Sequence, residues 1–153
     1  MTEFEKVLAE CELADGLEEA DLRKLAAIAE PKVFARDDII IREDDTNCDI
    51  FILYEGWVSI EIQRFPYDAS AQKLRVLRNK GVVGEFSFID RSRRSATVRA
   101  QEEAKLLMLP CARLETLLAT DHRVGYLVMR NIGRLLCARI RNTNFELRNQ
   151  LIW

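Results

Sequence analysis

An α+β fold is predicted for this chain: a β-sandwich of the jelly-roll kind (a double-stranded β-helix), flanked by N-terminal helices and closed by a long C-terminal helix. Three observations carry the expectation. Helical periodicity occupies residues 1–30, short β-rich runs broken by polar turns fill 31–110, and helical periodicity returns over 111–150. A length of 153 residues suits a single domain, 1–153, with a modest core.

In the first block, Leu13 to Glu30 places apolar residues at 17, 22, 25, 26 and 28 to 29 with acids early, the pattern of one or two short amphipathic helices that Pro31 stops. The β runs expected next are Val33-Phe34, Ile39 to Ile41, Ile50 to Tyr54, Trp57 to Ile62, Leu74 to Leu77, Ser95 to Arg99 and Ala104 to Leu109. Regular spacing of this kind suits a sandwich or jelly roll. Arg64 to Gln72, with Pro66 and several small residues, reads as a hairpin loop. After Pro110, Cys111 to Ala119 forms a short helix and His122 to about Asn149 a long one, with Val124, Leu127, Val128, Ile132, Leu135, Leu136 and Ile140 on one side. Such a helix is roughly 40 Å long, more than a domain this small covers. Two outcomes are open for it: pairing with a second copy, or fraying and folding back after Thr143.

Charge and composition narrow the function classes. Net charge is 23 − 25 = −2, so no overall field draws the chain to nucleic acid or an anionic membrane. Acids concentrate in residues 1–30 and arginines in 121–153, which a solvated surface explains. An acidic start and the lack of an apolar run of roughly 18 residues point to a cytoplasmic chain. The cysteines Cys11, Cys48, Cys111 and Cys137 have no metal-ligand spacing, so no metal site is expected. They are read as free thiols packed as small hydrophobes, with disulfides unexpected in that compartment. No catalytic residues are assigned: the single histidine, His122, opens the long helix as a cap or surface residue, and no nucleophile has an evident partner.

The chemistry-bearing segment is Val83 to Ala100, VGEFSFIDRSRRSATVRA, in which Arg94 follows Glu85 by nine residues. A phosphate joined to a sugar needs a fixed positive charge, backbone N–H donors and an acceptor for a hydroxyl. Arg94 supplies the first, because its planar fork donates two hydrogen bonds and stays charged when desolvated. Glu85 supplies the hydroxyl acceptor. Ser95 adds a hydroxyl donor, and the N–H groups of Phe86 and Ser87, opening a short helix, face the anion. Strand alternation sends Arg93 and Arg94 to opposite faces, with Arg94 inward. The competing reading is a mutual Glu85–Arg94 salt bridge holding an unliganded loop.

With these residues in view, the chain resembles the cyclic nucleotide-binding domain family, shared by catabolite activator proteins, regulatory subunits of cyclic-nucleotide-dependent kinases and gated channels. That family's phosphate-binding cassette begins with G-E-(L/F) and closes with R-(S/T/A)-A; here stand Gly84, Glu85 and Phe86, then Arg94, Ser95 and Ala96. Ile50 to Val58 resembles the family's hairpin, and Asn131 to Leu147 its long closing helix. The resemblance implies Arg94 on the cyclic phosphate and Glu85 on the ribose 2′-hydroxyl. It also places Thr143 and Asn144 near the base, where an amide can donate or accept, so adenine and guanine both stay open; so does the reading of both as ordinary exposed polar residues. Serine at 95 tilts the comparison towards cyclic AMP. Where many members carry Glu-Gly-Asp, this chain has Glu43-Asp44-Asp45, which calls for Asn47 or Asp45 to adopt the left-handed conformation.

The function expected is a non-enzymatic sensor or regulatory module, binding cyclic AMP or cyclic GMP with no further cofactor and signalling through its C-terminal helix. A homodimer through that helix and an unidentified downstream protein are the expected partners. No membrane is expected, nor direct DNA binding, since no helix-turn-helix follows the long helix before Leu151-Ile152-Trp153. The alternative is a ligand-free relative that serves protein association.

Overall fold

The computed structural model of the chain describes residues 1–63 and 71–152. Two N-terminal helices, α1 (Glu3–Ala9) and α2 (Glu19–Ile28), are separated by a 3-10 turn at Glu12–Ala14. Among the described residues eight strands follow: β1 (Glu30–Phe34), β2 (Ile39–Ile41), β3 (Ile50–Glu55), β4 (Val58–Gln63), β5 (Ala71–Leu77), β6 (Val82–Val83), β7 (Thr97–Ala100) and β8 (Ala104–Leu109). The short helix α3 (Glu85–Asp90) lies between β6 and β7, and α4 (Cys111–Thr120) and α5 (His122–Leu151) complete the described chain.

The strands form two four-stranded antiparallel sheets, ordered β1-β8-β3-β6 and β2-β7-β4-β5. This is the expected α+β jelly roll between N-terminal helices and a long C-terminal helix. The continuous apolar run of β3 follows from its place as an inner strand with both faces covered. Phe51 and Leu53 point into the cluster between the sheets with Val58, Ile60, Val98 and Leu106. Ile50 and Ile52 point the other way, into a second cluster with Leu8, Leu25, Leu114, Val124, Val128 and Ile132 from the helices. Every helix except the free end of α5 is therefore anchored on one face of one sheet.

Several elements differ from the sequence reading. Thr2 caps α1 and shares a reciprocal capping box with Glu5, a start signal that the reading from Leu13 onward leaves out. Pro31 does not merely stop a helix: it sits inside β1, an edge strand where a missing N–H is tolerated. β6, only two residues long, is too short to show periodicity. Of the hairpin expected at Arg64 to Gln72, residues 64–70 lie outside the described residues, and Ala71 and Gln72 already belong to β5.

The tight β3–β4 hairpin turns on Gly56, at φ 83°, where an added Cβ would stand 2.4 Å from the Glu103 carbonyl oxygen. Both the dihedral and the space exclude a side chain. Gly56→Ala is expected to lower the unfolding free energy by roughly 2 kcal/mol or more, read from urea unfolding followed by circular dichroism.

Candidate functional site

β6 is followed by Gly84, whose φ of 91° and close neighbours leave no room for a side chain: an added Cβ would meet the Asp49 carbonyl at 2.5 Å and the Arg94 Nη1 at 2.7 Å. Gly84 caps α3, which buries Glu85, Ser87 and Phe88 and leaves Phe86 exposed. The helix ends at Arg91 in the left-handed conformation, φ 58°, without the help of a glycine. At six residues α3 contributes little dipole, so fixed charge at this site rests on side chains.

Arg94 is 3% exposed, and the β2–β3 loop surrounds it. Its backbone N–H donates to the Asp45 carbonyl at 2.8 Å, and its carbonyl accepts from Asp44 N–H at 2.9 Å. Asn47 Oδ1 accepts from both Nε (2.8 Å) and Nη2 (2.6 Å), while Asp49 O accepts from Nη2 at 2.7 Å and Gly84 O from Nη1 at 2.9 Å. A guanidinium has five N–H donors, so one, on Nη1, has no protein acceptor among the described residues. Burial pushes the Arg94 guanidinium below its ordinary value, an effect opposed by Asp49 and Asp45. The left-handed residue of this loop is Asp44 itself, φ 69°, not Asn47 or Asp45; an aspartate tolerates that region better than most side chains. Arg93 is exposed and donates to the Asp44 carbonyl at 3.0 Å, but not through strand alternation: both arginines precede β7, which begins at Thr97, and the backbone pairing of Arg94 with Asp44 and Asp45 turns its side chain inward.

Glu85, 1% exposed, does not pair with Arg94. Its Oε1 meets Arg139 Nη1 of α5 in a buried ion pair, and Arg139 Nη2 also donates to the Val82 carbonyl. Among the described residues Oε1 has no hydrogen bond of ordinary geometry, and this ion pair balances it. Burial, reinforced by the like charge of Arg75, lowers the Arg139 guanidinium to about 10, which leaves it protonated at neutral pH. The pair joins the start of the cassette to the long helix.

These groups border one cleft of about 420 Å³ between the β2-β7-β4-β5 sheet, α3 and α5. Of the residues singled out in the sequence, Gly84, Glu85, Phe86, Ser87, Arg94, Ser95, Ala96 and Thr143 all line it. Asn144 does not; it lies exposed on α5, and Asn142 and Glu146 take the places beside Thr143. Helical geometry explains the shift, because Arg139, Asn142, Thr143 and Glu146 follow the three- and four-residue spacing of one face. The same spacing could have found Arg139, four residues before Thr143. Arg75, on β5, carried no comparable signal.

The cysteines depart from the reading of four free thiols. Cys48 and Cys111 form a disulfide, with Cα atoms 5.4 Å apart, leaving Cys11 buried and Cys137 exposed as free thiols. Spacing in sequence could not show it, since the partners are 63 residues apart.

The sequence model of the cyclic nucleotide-binding domain matches residues 31–121. The chain belongs to this family. Among curated relatives, the cAMP-dependent protein kinase regulatory subunit of Blastocladiella emersonii is 27% identical over 111 residues, 72% of this chain and 26% of that protein. The chain spans about a quarter to a third of the length of the curated relatives it matches. Among solved structures, a cyclic nucleotide-binding domain from Methylobacillus flagellatus superposes with a TM-score of 0.83 at 22% identity, covering 96% of this chain and 82% of that one. The Thermus thermophilus catabolite activator protein gives 0.77 at 24% identity, covering 91% and 62%. At such identities these two likenesses establish the jelly-roll fold of a cyclic nucleotide-binding domain.

In this domain the Glu85–Arg139 pair is expected to be strongly coupled. Arg139→Gln leaves a buried carboxylate without its counter-charge and is expected to lower stability by about 3 kcal/mol. Adding Glu85→Gln restores part of that loss, so the double variant in urea unfolding is more stable than the sum of the singles predicts.

Proposed function

We propose that this cyclic nucleotide-binding domain is a sensor module that takes up a cyclic nucleotide, cyclic AMP in the first instance, and signals through α5. One observation carries the reading. The unpartnered Nη1 donor of Arg94, the Glu85 carboxylate and Thr143 on α5 border the same cleft, so an anion, a sugar hydroxyl and a base have separate partners within it. The phosphate meets Arg94 on its Gly84 side, while Asn47 keeps the opposite edge of the guanidinium oriented. The ribose 2′-hydroxyl donates to Glu85, which loosens that carboxylate's hold on Arg139. A ligand shifts the helix only through different affinity for its two arrangements, and the Glu85–Arg139 pair is the contact that differs. Thr143 contacts the base, with Asn142 in the role first given to Asn144. Arg75 and Arg139 add positive charge to the cleft wall.

The exposed Ile140, Phe145, Leu147 and Leu151 of α5 supply an apolar surface on which a second copy pairs. A separate downstream protein reads the helix, and the module itself performs no catalysis. We place it in the cytoplasm, without direct contact to DNA or membrane; among the described residues no helix is long and apolar enough to cross a membrane. A second reading, protein association without ligand, draws on the fact that four Arg94 donors and the Glu85 carboxylate already have protein partners.

Calorimetric titration with cyclic AMP and cyclic GMP separates the two readings. Saturable binding by the wild-type chain is expected, weakened roughly a hundredfold by Arg94→Ala, the size of a lost charge-assisted contact. Arg94→Lys, which keeps the charge without the fork, is expected to fall between them. Equal affinity in a folded Arg94→Ala variant would remove Arg94 from the site, and no heat with either nucleotide would favour association alone.

A further inference from the structure

Cys48 stands between the two residues that hold the Arg94 side chain. Asn47 and Asp49 accept three of its four protein hydrogen bonds, so the position of residues 47–49 decides how the guanidinium is aimed. The disulfide ties that short segment to Cys111, the first residue of α4, and a second link runs parallel to it: Asp49 Oδ1 accepts from the Cys111 N–H at 2.8 Å. Arg91, at the end of α3, lies over the bond. Its Nη1 is 2.8 Å from Cys48 Sγ and also contacts Cys111 Sγ, while Nη2 pairs with Glu115 on α4 at 3.0 Å. Cassette helix, Arg94-holding loop and α4 therefore meet at one sulfur–sulfur bond. Cys48 is only half-buried.

We infer that the Cys48–Cys111 disulfide is a reversible redox lock on the cyclic-nucleotide site: oxidised, it fixes Asn47 and Asp49 against Arg94 and favours binding; reduced, it releases the loop and weakens binding. The inference rests on the nucleotide-binding reading for its functional consequence, but not for the bond or its effect on the loop. The reductant is a dithiol. One of its thiolates attacks Cys48 Sγ, the Cys48–Cys111 bond breaks, and Cys111 leaves as a thiolate beside the Arg91 guanidinium, a neighbour that stabilises thiolate. The second thiol of the reductant then resolves the mixed disulfide. Two electrons and two protons pass to Cys48 and Cys111, and the dithiol becomes a disulfide. In a reducing compartment a persistent structural bond would be unusual, whereas one that opens and closes fits. Without the covalent tie, residues 47–49 retain the Asp49–Cys111 hydrogen bond and the contacts to Arg94, so the expected change is a looser loop in a folded domain. The nucleotide then bears the ordering of those side chains.

The test uses the full chain, air-oxidised and after treatment with dithiothreitol. Thiol counting in denaturant is expected to give two thiols in the oxidised protein, from Cys11 and Cys137, and four after reduction. Cyclic AMP titrated calorimetrically is expected to bind roughly three- to tenfold more weakly to the reduced form, the scale of ordering one or two side chains. Cys48→Ser with Cys111→Ser is expected to match the reduced protein in either condition, and Cys137→Ser to behave as wild type. Hydrogen exchange over residues 44–49 is expected to quicken on reduction. Four thiols before reduction, or equal or tighter binding after it, overturns the inference. Should neither form bind cyclic AMP or cyclic GMP, the nucleotide reading fails, and exchange over 44–49 then decides the lock: unchanged exchange overturns it, faster exchange upholds the redox control of the loop.

Discussion

A guanidinium taken out of water must be surrounded by acceptors, and the fold around Arg94 is arranged to meet that demand. The acceptors come from far along the chain: Asn47 and Asp49 from the β2–β3 loop and Gly84 from the turn into α3. Only a glycine can stand at 84, because the Asp49 carbonyl and Arg94 Nη1 occupy the space that a side chain would need. The jelly roll sets these pieces together through the pairing of β2 with β7 in one sheet and of β3 with β6 in the other. An isolated buried charge would be prohibitive; a charge with four of its five donors matched is tolerable, and the fifth has no acceptor among the described residues.

The second charged contact gives the site its reach. Glu85 is buried and the Arg139 side chain is 12% exposed, and α5 carries Arg139 on the same face as Thr143. A group that competes for Glu85 therefore acts on a helix whose first half packs in the core through Val124, Val128 and Ile132 and whose second half is exposed. The Cys48–Cys111 bond links the loop to α4, which packs on α5.

Much of this was legible in the residues themselves. The apolar run at Ile50 to Leu53 and the spacing of Glu85 and Arg94 give the sheet and the cassette, because both are written in local pattern. What the sequence left out is non-local. The Glu85–Arg139 pair joins residues 139 − 85 = 54 positions apart, and two of the three residues that accept from Arg94 lie 45 and 47 residues before it. The disulfide closes a separation of 63 residues that no spacing rule covers. Asn144 lies off the face of α5 that borders the cleft, whereas Asn142, two residues earlier, lies on it, because identifying that face requires knowing which side of the helix meets the sheet. Asp44 adopts the left-handed conformation expected of a neighbour, since the backbone pairing with Arg94 fixes the turn at that residue.

The most direct measurement is a crystal structure of the domain grown with cyclic AMP. The account predicts the cyclic phosphate within hydrogen-bond distance of Arg94 Nη1, Asn47 still holding Nε and Nη2, and the Glu85 carboxylate on the ribose 2′-hydroxyl. A phosphate seated on Arg75 and Arg139, with Arg94 bonded only to protein acceptors, would contradict it.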